Sequence, residues 1–199
     1  MARTTEPAAR TPGRPRSAQA EQAILDAALA AFIEHGYEGM SVEAVAERAG
    51  VGKTTIYRRW PSKQELVVAA LDTLLEDVHP TATGDTEADL VALVGRAHDF
   101  ITRTKAGEVL PRMIGELAAG TPLGRAYFDK VMRPRLGELA ALFEDARARG
   151  ELRSDLDVDL ALAAIIGSMM FLRVTRTLPK TKGTLPDRLI GQLLDGLRA

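Results

Sequence analysis

The side chains best suited to chemistry in this sequence are five cations that lie close together with no carboxylate among them. They fall between residues 48 and 63 and are Arg48, Lys53, Arg58, Arg59 and Lys63. The preceding stretch, residues 21–47, holds six carboxylates and no Lys or Arg. The net charge of the whole chain is only −1, so the asymmetry is local. A basic surface of this kind suits the phosphate backbone of nucleic acid.

The segment that carries these cations, residues 41–63, predicts two short helices joined by a tight turn. Ser41 can cap the first helix with its hydroxyl. The apolar stripe that follows consists of Val42, Val45, Ala46 and Ala49. Gly50 falls where the chain must leave the helix, because Gly adopts a left-handed φ without steric cost. The second helix would bury Ile56 and Trp60. This is the layout of a DNA-binding helix-turn-helix, and an ordinary solvated helical hairpin is the alternative.

The exposed face of the second helix predicts how DNA would be read. With Ile56 buried, this face centres on Thr54 and Arg58, and only the N-terminal end of such a helix reaches deep into the major groove. We therefore assign base contacts to Lys53 and Thr54, through a guanine edge and a thymine methyl. Tyr57 could serve bases or phosphates. The residues assigned to phosphates are Ser41, Arg48, Thr55, Arg58, Arg59 and Lys63. For Arg59, an ion pair with an acidic residue of the first helix is the alternative.

The first 16 residues are rich in Pro, Thr and Arg and show no apolar periodicity. We expect residues 1–16 to be a disordered basic arm. Arg14 and Arg16 flank a proline ahead of the DNA-binding unit, and arginines so placed can enter a narrow minor groove. A plain solubilising tail is the alternative.

The rest of the chain also shows helical periodicity, and its many Ala and Leu residues predict an all-α protein. A first helix should begin near Ser17 and end at Gly36, and a capping box at residues 62–65 should begin a helix that reaches about residue 77. The linker 79–85 marks a domain boundary. The later helices are predicted near residues 86–101, 108–119, 123–149, 157–177 and 186–197. Pro134 should kink or split the helix of residues 123–149 near Met132.

Several classes of chemistry find no support in the sequence. There is no Cys, so disulfides and thiolate metal sites are impossible, which fits a reducing cytoplasm. His35, His79 and His98 lack ligand spacing, and we predict no metal and no cofactor. No P-loop or glycine-rich dinucleotide loop is present, so we predict that the protein is not an enzyme. We also find no apolar run long enough for a membrane span and no signal peptide.

Together these features resemble the TetR family of bacterial transcription regulators. The residues that carry the resemblance are Phe32-Ile33-Glu34-His35-Gly36-Tyr37, Ser41-Val42, Val45-Ala46, Ala49-Gly50-Val51, Tyr57 and Ser62-Lys63-Gln64-Glu65-Leu66. The resemblance implies an all-helical homodimer. It implies a three-helix DNA-binding domain over residues 17–68 and a helical ligand-binding and dimerisation domain over residues 69–199. It also implies that a ligand re-spaces the two reading heads and releases DNA. Gly52 departs from the family pattern, in which a capping Ser is frequent, and Trp60 stands where Phe is usual.

The segment of residues 160–172 is apolar nearly all round its helix. A helix that packs on a single core needs only one apolar stripe, so the other side must also be covered. We predict that a second copy of the chain covers it, with the last helix completing a four-helix interface. A central helix of a monomer is the alternative. A symmetric dimer in turn predicts a palindromic, inverted-repeat operator in double-stranded DNA.

A small hydrophobic effector is expected to bind in the C-terminal domain. The candidate lining residues are His98, Phe100, Met113, Glu116, Tyr127, Phe128, Met132, Met169, Met170 and Phe171. Met is adaptable and common in pockets that accept apolar ligands. The alternative for these Met and Phe residues is ordinary core packing, and for His98 a satisfied core group.

The sequence therefore predicts a ligand-responsive repressor that binds its operator as a homodimer. The same DNA contacts would serve an activator, so the sign of regulation stays open. Two other functions also stay open. One is a helical adaptor whose basic hairpin binds an acidic protein partner, and the other is a small helical enzyme that acts on a hydrophobic substrate.

Overall fold

The computed structural model describes residues 15–75, 78–80, 83–104, 106–175 and 185–197. Within these ranges the regular structure is helical, without a β-strand, as predicted. The helices are α1 Pro15–Gly39, α2 Val42–Arg48, α3 Lys53–Tyr57, α4 Lys63–Thr73, α5 Thr86–Arg103, α6 Ala106–Ala118, α7 Pro122–Tyr127, α8 Arg133–Ala148, α9 Val158–Thr175 and α10 Leu185–Leu197. None of the described helices is long and apolar enough to cross a bilayer.

Local signals set most of these boundaries. Gly36 interrupts α1 with a φ of 71°, so the first helix breaks where the sequence predicted its end. The hydroxyl of Ser41 accepts a hydrogen bond from the N–H of Ala44 at 3.2 Å, and that of Ser62 accepts one from Glu65 at 3.1 Å. These two predicted caps are therefore confirmed. The first helix, in contrast, begins at Pro15, so the predicted start at Ser17 is wrong and the last two residues of the predicted basic arm belong to α1. The fourth helix ends at Thr73, short of the predicted residue 77.

The predicted kink before Pro134 takes the form of a π-helical turn. This turn spans Phe128–Met132 and joins α7 to α8, with Pro134 in the opening turn of α8. Proline lacks the N–H that an α-helix would use there, and a π-turn is one way to absorb the defect. The helix predicted over residues 123–149 is thus split near Met132 into two helices, as the sequence predicted.

The helices pack around two hydrophobic cores. The first contains buried residues of α1 to α4 together with Val109, Met113, Leu123, Tyr127 and Val131 from α6, α7 and the π-turn. The second joins α5, α8, α9 and α10. Phe100 packs against both cores. The boundary predicted between residues 68 and 69 lies inside α4, so this helix runs from one predicted domain into the other.

Candidate nucleic-acid interface and effector cavity

The turn between α2 and α3 is built from backbone hydrogen bonds around one glycine. Gly50 has a φ of 66°, a left-handed conformation that Gly adopts without strain. Its N–H donates to the carbonyl of Glu47 at 3.1 Å, and the N–H of Val51 donates to Ala46 at 3.0 Å. These two bonds form a Schellman motif, which ends α2 and sets the angle at which α3 leaves it.

The short helix α3 presents the face that the sequence predicted. Ile56 is 0% exposed and fixes the helix on the first core, with Trp60 half-buried beside it. On the opposite side, Thr54, Tyr57 and Arg58 are exposed. Gly52, the residue before the helix, makes no side-chain capping bond. The interior of the fold therefore holds α3 in place, rather than its own cap.

The acidic and basic stretches of the sequence neutralise each other across the helices. Arg48 pairs with Glu34 of α1 through two hydrogen bonds of 2.8 and 3.1 Å. Arg59 is half-buried and lies 3.6 Å from Glu21 of α1, so the ion pair that was the alternative for Arg59 is present. Arg48 thus ties α1 to the end of α2, and Arg59 ties α1 to the segment that follows α3.

Lys53, the predicted guanine reader, is paired as well. Its amine lies 2.9 Å from a carboxylate oxygen of Glu43 on α2. This hydrogen bond, together with the charge attraction, raises the pKa of Lys53 and lowers the pKa of Glu43. Both groups are therefore charged near neutral pH. Glu43 occupies one of the three N–H donors of Lys53, so a contact with a base has to compete with this ion pair.

Lys63, the predicted phosphate anchor, binds the protein's own backbone. Its amine donates to the carbonyl of Tyr37 at 2.8 Å and to that of Met40 at 3.3 Å. The same amine lies 4.5 Å from the centroid of the Tyr37 ring. The chain just after the break at Gly36 is thereby tied to the start of α4.

The remaining residues predicted to contact DNA differ in their exposure and partners. Ser41 is exposed, and Thr55 is half-buried. Among the residues that the structure describes, Arg58 makes no ion pair. Arg14 lies outside the described residues. Arg16 is part of α1, but its side chain lies outside the described part of the structure.

A cavity of about 130 Å³ lies between the end of α4 and helices α5, α6, α8 and α9. Of the ten predicted ligand residues, the structure brings five to its wall, namely Phe100, Tyr127, Met132, Met169 and Met170. Most of the other wall positions are Leu, Val and Ile residues that the sequence did not single out.

The other five predicted ligand residues lie elsewhere. Met113 is buried in the first core, and Glu116 accepts a hydrogen bond from the hydroxyl of Thr121. Phe128 packs beneath the guanidinium of Arg133, and His98 lies 3.5 Å from Asp99. Phe171 points outward with 64% of its surface exposed. For Met113, Phe128 and Phe171, helical spacing identified an apolar position but not the surface that it faces.

Arg135 is the charged residue of the cavity wall, and sequence reasoning missed it. Its guanidinium donates to the carbonyl of Val131 at 2.9 Å and lies 2.8 Å from Asp72 of α4. A signal for it did exist. Met132, Arg135, Leu136 and Leu139 recur at helical spacing, which places an arginine within an otherwise apolar stripe.

Comparisons with known proteins cover both parts of the chain. Residues 24–70 match the family model described as bacterial regulatory proteins, tetR family, and residues 80–193 match that of the tetracyclin repressor-like C-terminal domain. The chain is 33% identical to the DNA-binding transcriptional repressor TetR of Mycobacteroides abscessus over 92% of each protein. It is 31% identical to the uncharacterized HTH-type transcriptional regulator YdeS of Bacillus subtilis over 80% of each. The crystal structure of a TetR family transcription regulator matches 91% of this chain and 100% of its own, with a TM-score of 0.69 and 30% identity.

Proposed function

Because this chain belongs to the TetR family of bacterial transcription regulators, we propose that it is a repressor that binds an inverted-repeat operator as a homodimer. A small hydrophobic effector that fills the cavity would release it from DNA. The observation that carries the proposal is the geometry of α3. Its buried side is fixed by Ile56, while Thr54, Tyr57 and Arg58 point away from the protein. A short helix so held can enter a major groove as a rigid body. We call α2, α3 and the turn between them the reading unit.

The contacts to DNA divide into three groups. We propose that Lys53 and Thr54 read bases, with Tyr57 beside them, and that Ser41, Thr55 and Arg58 contact phosphates. Arg48, Arg59 and Lys63 already have partners within the protein. Only the N–H groups of these three side chains that their partners do not occupy remain available to bind phosphate. We therefore expect smaller contributions from these three than the sequence suggested.

The dimer proposal rests on the outer face of α9. Leu160, Phe171 and Val174 are 67%, 64% and 57% exposed, and they fall within about 60° of one another around the helix. Gly167 is exposed on the same face, and a Cβ atom there would meet nothing within 4 Å in this chain. The result is an apolar stripe about 21 Å long with room for close approach. A second copy of α9 would cover it, as in other helical bundles.

The buried side of the same helices supports this assignment. Leu162, Ile165 and Met169 of α9 lie in the second core, and Ile190 of α10 joins them there. The outward stripe is therefore not needed for the fold of one chain. Leu189 and Leu193 of α10 are half-buried and would complete the interface. Sedimentation as a monomer at micromolar concentration would contradict the dimer.

Selection of bound sequences from random duplex DNA tests the proposed function. We expect one inverted repeat with half-sites about one helical turn or a multiple apart. Lys53→Ala should change the preferred base at one position of each half-site, because base contacts carry the sequence information. Arg58→Ala is the matched control, since removal of a phosphate-binding side chain weakens all sequences alike. Binding that ignores sequence would contradict the repressor and favour an adaptor with an acidic partner.

A further inference from the structure

The cavity has a chemical character that points to a class of effector. Resting on the function proposed above, we propose that the effector is a compact carboxylic acid with an apolar body. Its carboxylate would bind Arg135 and the hydroxyl of Tyr127, and would replace Asp72 as the partner of Arg135. The exchange would release the end of α4 and so change the placement of the reading unit.

The size and lining of the cavity define the apolar body. Among the described residues of the wall, Tyr127 and Arg135 are the only ones with polar side chains, and the others are aliphatic, Met or Phe. The surface that faces the cavity is almost wholly apolar, so the guanidinium of Arg135 has to turn inward to meet a ligand. The volume of about 130 Å³ is close to that of a cavity of about 150 Å³ that holds one benzene molecule. One ring or a short chain therefore fits without rearrangement of the core.

Arg135 is a charged donor that its present partners satisfy poorly. Its Nε atom is buried and has no hydrogen-bond partner among the described residues. The 2.8 Å contact with Asp72 is a charge contact without hydrogen-bond geometry, since the buried Oδ1 of Asp72 likewise has no such partner there. A buried charged donor left without a hydrogen bond is costly. A carboxylate matches the planar guanidinium with two parallel bonds, so it is the ligand group that Arg135 favours.

Tyr127 adds a second donor to the same wall. The residue is 7% exposed, and burial raises the pKa of its phenol to about 12. The hydroxyl therefore keeps its proton at neutral pH. No hydrogen bond of this hydroxyl occurs within the described part of the chain. Two donors on an otherwise apolar wall favour an acceptor on the ligand, and the positive charge of Arg135 disfavours an amine.

Separation of Asp72 from Arg135 costs little free energy. The side chain of Asp72 is 50% exposed, so water can solvate its carboxylate once Arg135 turns to the ligand. One carboxylate then replaces another beside the guanidinium, and no charge is left buried without a partner. The exchange is therefore feasible for an acid, whereas a neutral ligand would not compete with Asp72 for the charge.

The exchange reaches the reading unit through α4. Asp72 lies near the end of this helix, whose start is tied to α1 by Lys63. A second link crosses from α6, where Arg112 donates to the carbonyl of Phe32 in α1 at 2.6 Å. Leu110, two residues before Arg112, is on the cavity wall. An occupied cavity thus acts on both links, and by thermodynamic linkage the acid and the operator must weaken each other's binding equally.

Calorimetry on the full chain without DNA tests the ligand class. Benzoate is the probe, with benzamide, benzyl alcohol and benzylamine as matched rings that lack the carboxylate. We expect benzoate to bind at least tenfold more tightly than the two neutral rings, and benzylamine not to bind. Tyr127→Phe should weaken benzoate about tenfold and leave benzyl alcohol within threefold. Arg135→Met should abolish the preference for benzoate over benzamide. Equal affinities for benzoate and its neutral analogues in the wild-type chain would overturn the proposal.

Asp72→Asn tests the exchange itself. In this variant Arg135 is already free of its charged partner, so the variant should bind benzoate several-fold more tightly than the wild type does. Benzoate should also weaken operator binding by this variant less than it weakens operator binding by the wild type. Unchanged affinity together with unchanged coupling would overturn the exchange. Should Arg135→Met fail to fold, Tyr127→Phe and Asp72→Asn decide alone. A chain that binds its operator specifically but does not bind benzoate would refute this inference and leave the DNA-binding function standing.

Discussion

Replacement of Lys63 by methionine separates two roles for one cation. Lys63→Met keeps the length and apolar part of the side chain and removes the amine. The structure places that amine on the carbonyls of Tyr37 and Met40 and over the ring of Tyr37. If this is its main role, the variant should lose stability. If the amine chiefly binds phosphate, the variant should lose affinity for DNA instead.

The expected loss of stability follows from the interactions of the amine. A hydrogen bond from a charged donor contributes about 1.5–3 kcal/mol, and we assign this to the 2.8 Å bond with Tyr37. The longer bond to Met40 and the interaction with the ring add about 0.5–1 kcal/mol. The amine also lies in the first turn of α4, where a positive charge is unfavourable by about 0.3–1 kcal/mol. The net cost of the substitution is about 2 kcal/mol, or a fall in Tm of about 4–8 °C for a chain of this size.

Thermal unfolding and operator affinity across a salt series decide between the two roles. Arg58→Met is the matched control, because Arg58 is exposed and makes no ion pair within the described residues. The stability of this control should change by less than about 0.5 kcal/mol. The slope of its log operator affinity against log salt concentration should fall in magnitude by about 0.9 for each phosphate that residue 58 no longer neutralises. For Lys63→Met we expect the lower Tm and a smaller change in slope. An unchanged Tm with a slope as low as that of Arg58→Met would refute this reasoning.

Three further predictions concern other parts of the structure. Glu43→Gln should free Lys53 and remove a negative charge beside the operator, so affinity measured by fluorescence anisotropy should rise about threefold to fivefold, for a gain of about 0.6–1 kcal/mol. Phe171→Glu should place a charge in the outward stripe of α9 and leave a folded monomer in sedimentation. Hydrogen bonds from Arg149 and Thr86 lower the pKa of Glu151 to about 2. Because that pKa lies below the unfolded value, the stability from this carboxylate is present above about pH 4.5 and is lost as pH falls towards 2. Glu151→Gln should flatten that part of the pH profile of unfolding.

Each of these predictions has an outcome that contradicts it. Weaker operator binding by Glu43→Gln would mean that Glu43 orients Lys53 for DNA rather than holding it back. Persistence of the dimer in Phe171→Glu would place the interface elsewhere, and Ala119→Glu, which adds the same charge at an exposed position just after α6, serves as its control. A pH profile of Glu151→Gln that overlays the wild type would show that other carboxylates dominate acid unfolding.

The local structure of the DNA-binding part was readable from the sequence because its signals are local. Ser41 and Ser62 act within three residues of themselves, as caps do. Gly50 supplies a left-handed turn that depends on its own lack of a side chain. The same holds for Ile56, whose burial follows from helical spacing within α3. Such features need no knowledge of distant residues.

The partners of the cations could not be read in the same way. Lys53 and Glu43 are ten residues apart, Arg48 and Glu34 fourteen, and Lys63 lies twenty-six residues from Tyr37. The sequence suggested a basic surface separate from an acidic one. The packing of α1 against α2 and α4, and of α2 against α3, interleaves the two, because helices remote in sequence meet side by side. Half of the predicted pocket residues missed the cavity for a related reason, since apolar spacing does not say which neighbour a helix faces.

The sequence by itself determined the all-helical class, the reading unit and the resemblance to a family of regulators. Periodicity, caps and glycines suffice for these, since each acts over one or two helical turns. Only the tertiary structure decided that three of the five clustered cations are paired with acids and that Lys63 binds backbone. It also placed Arg135 on the cavity wall beside Asp72. Those outcomes depend on which helix faces come together, and that depends on the packing of the whole chain.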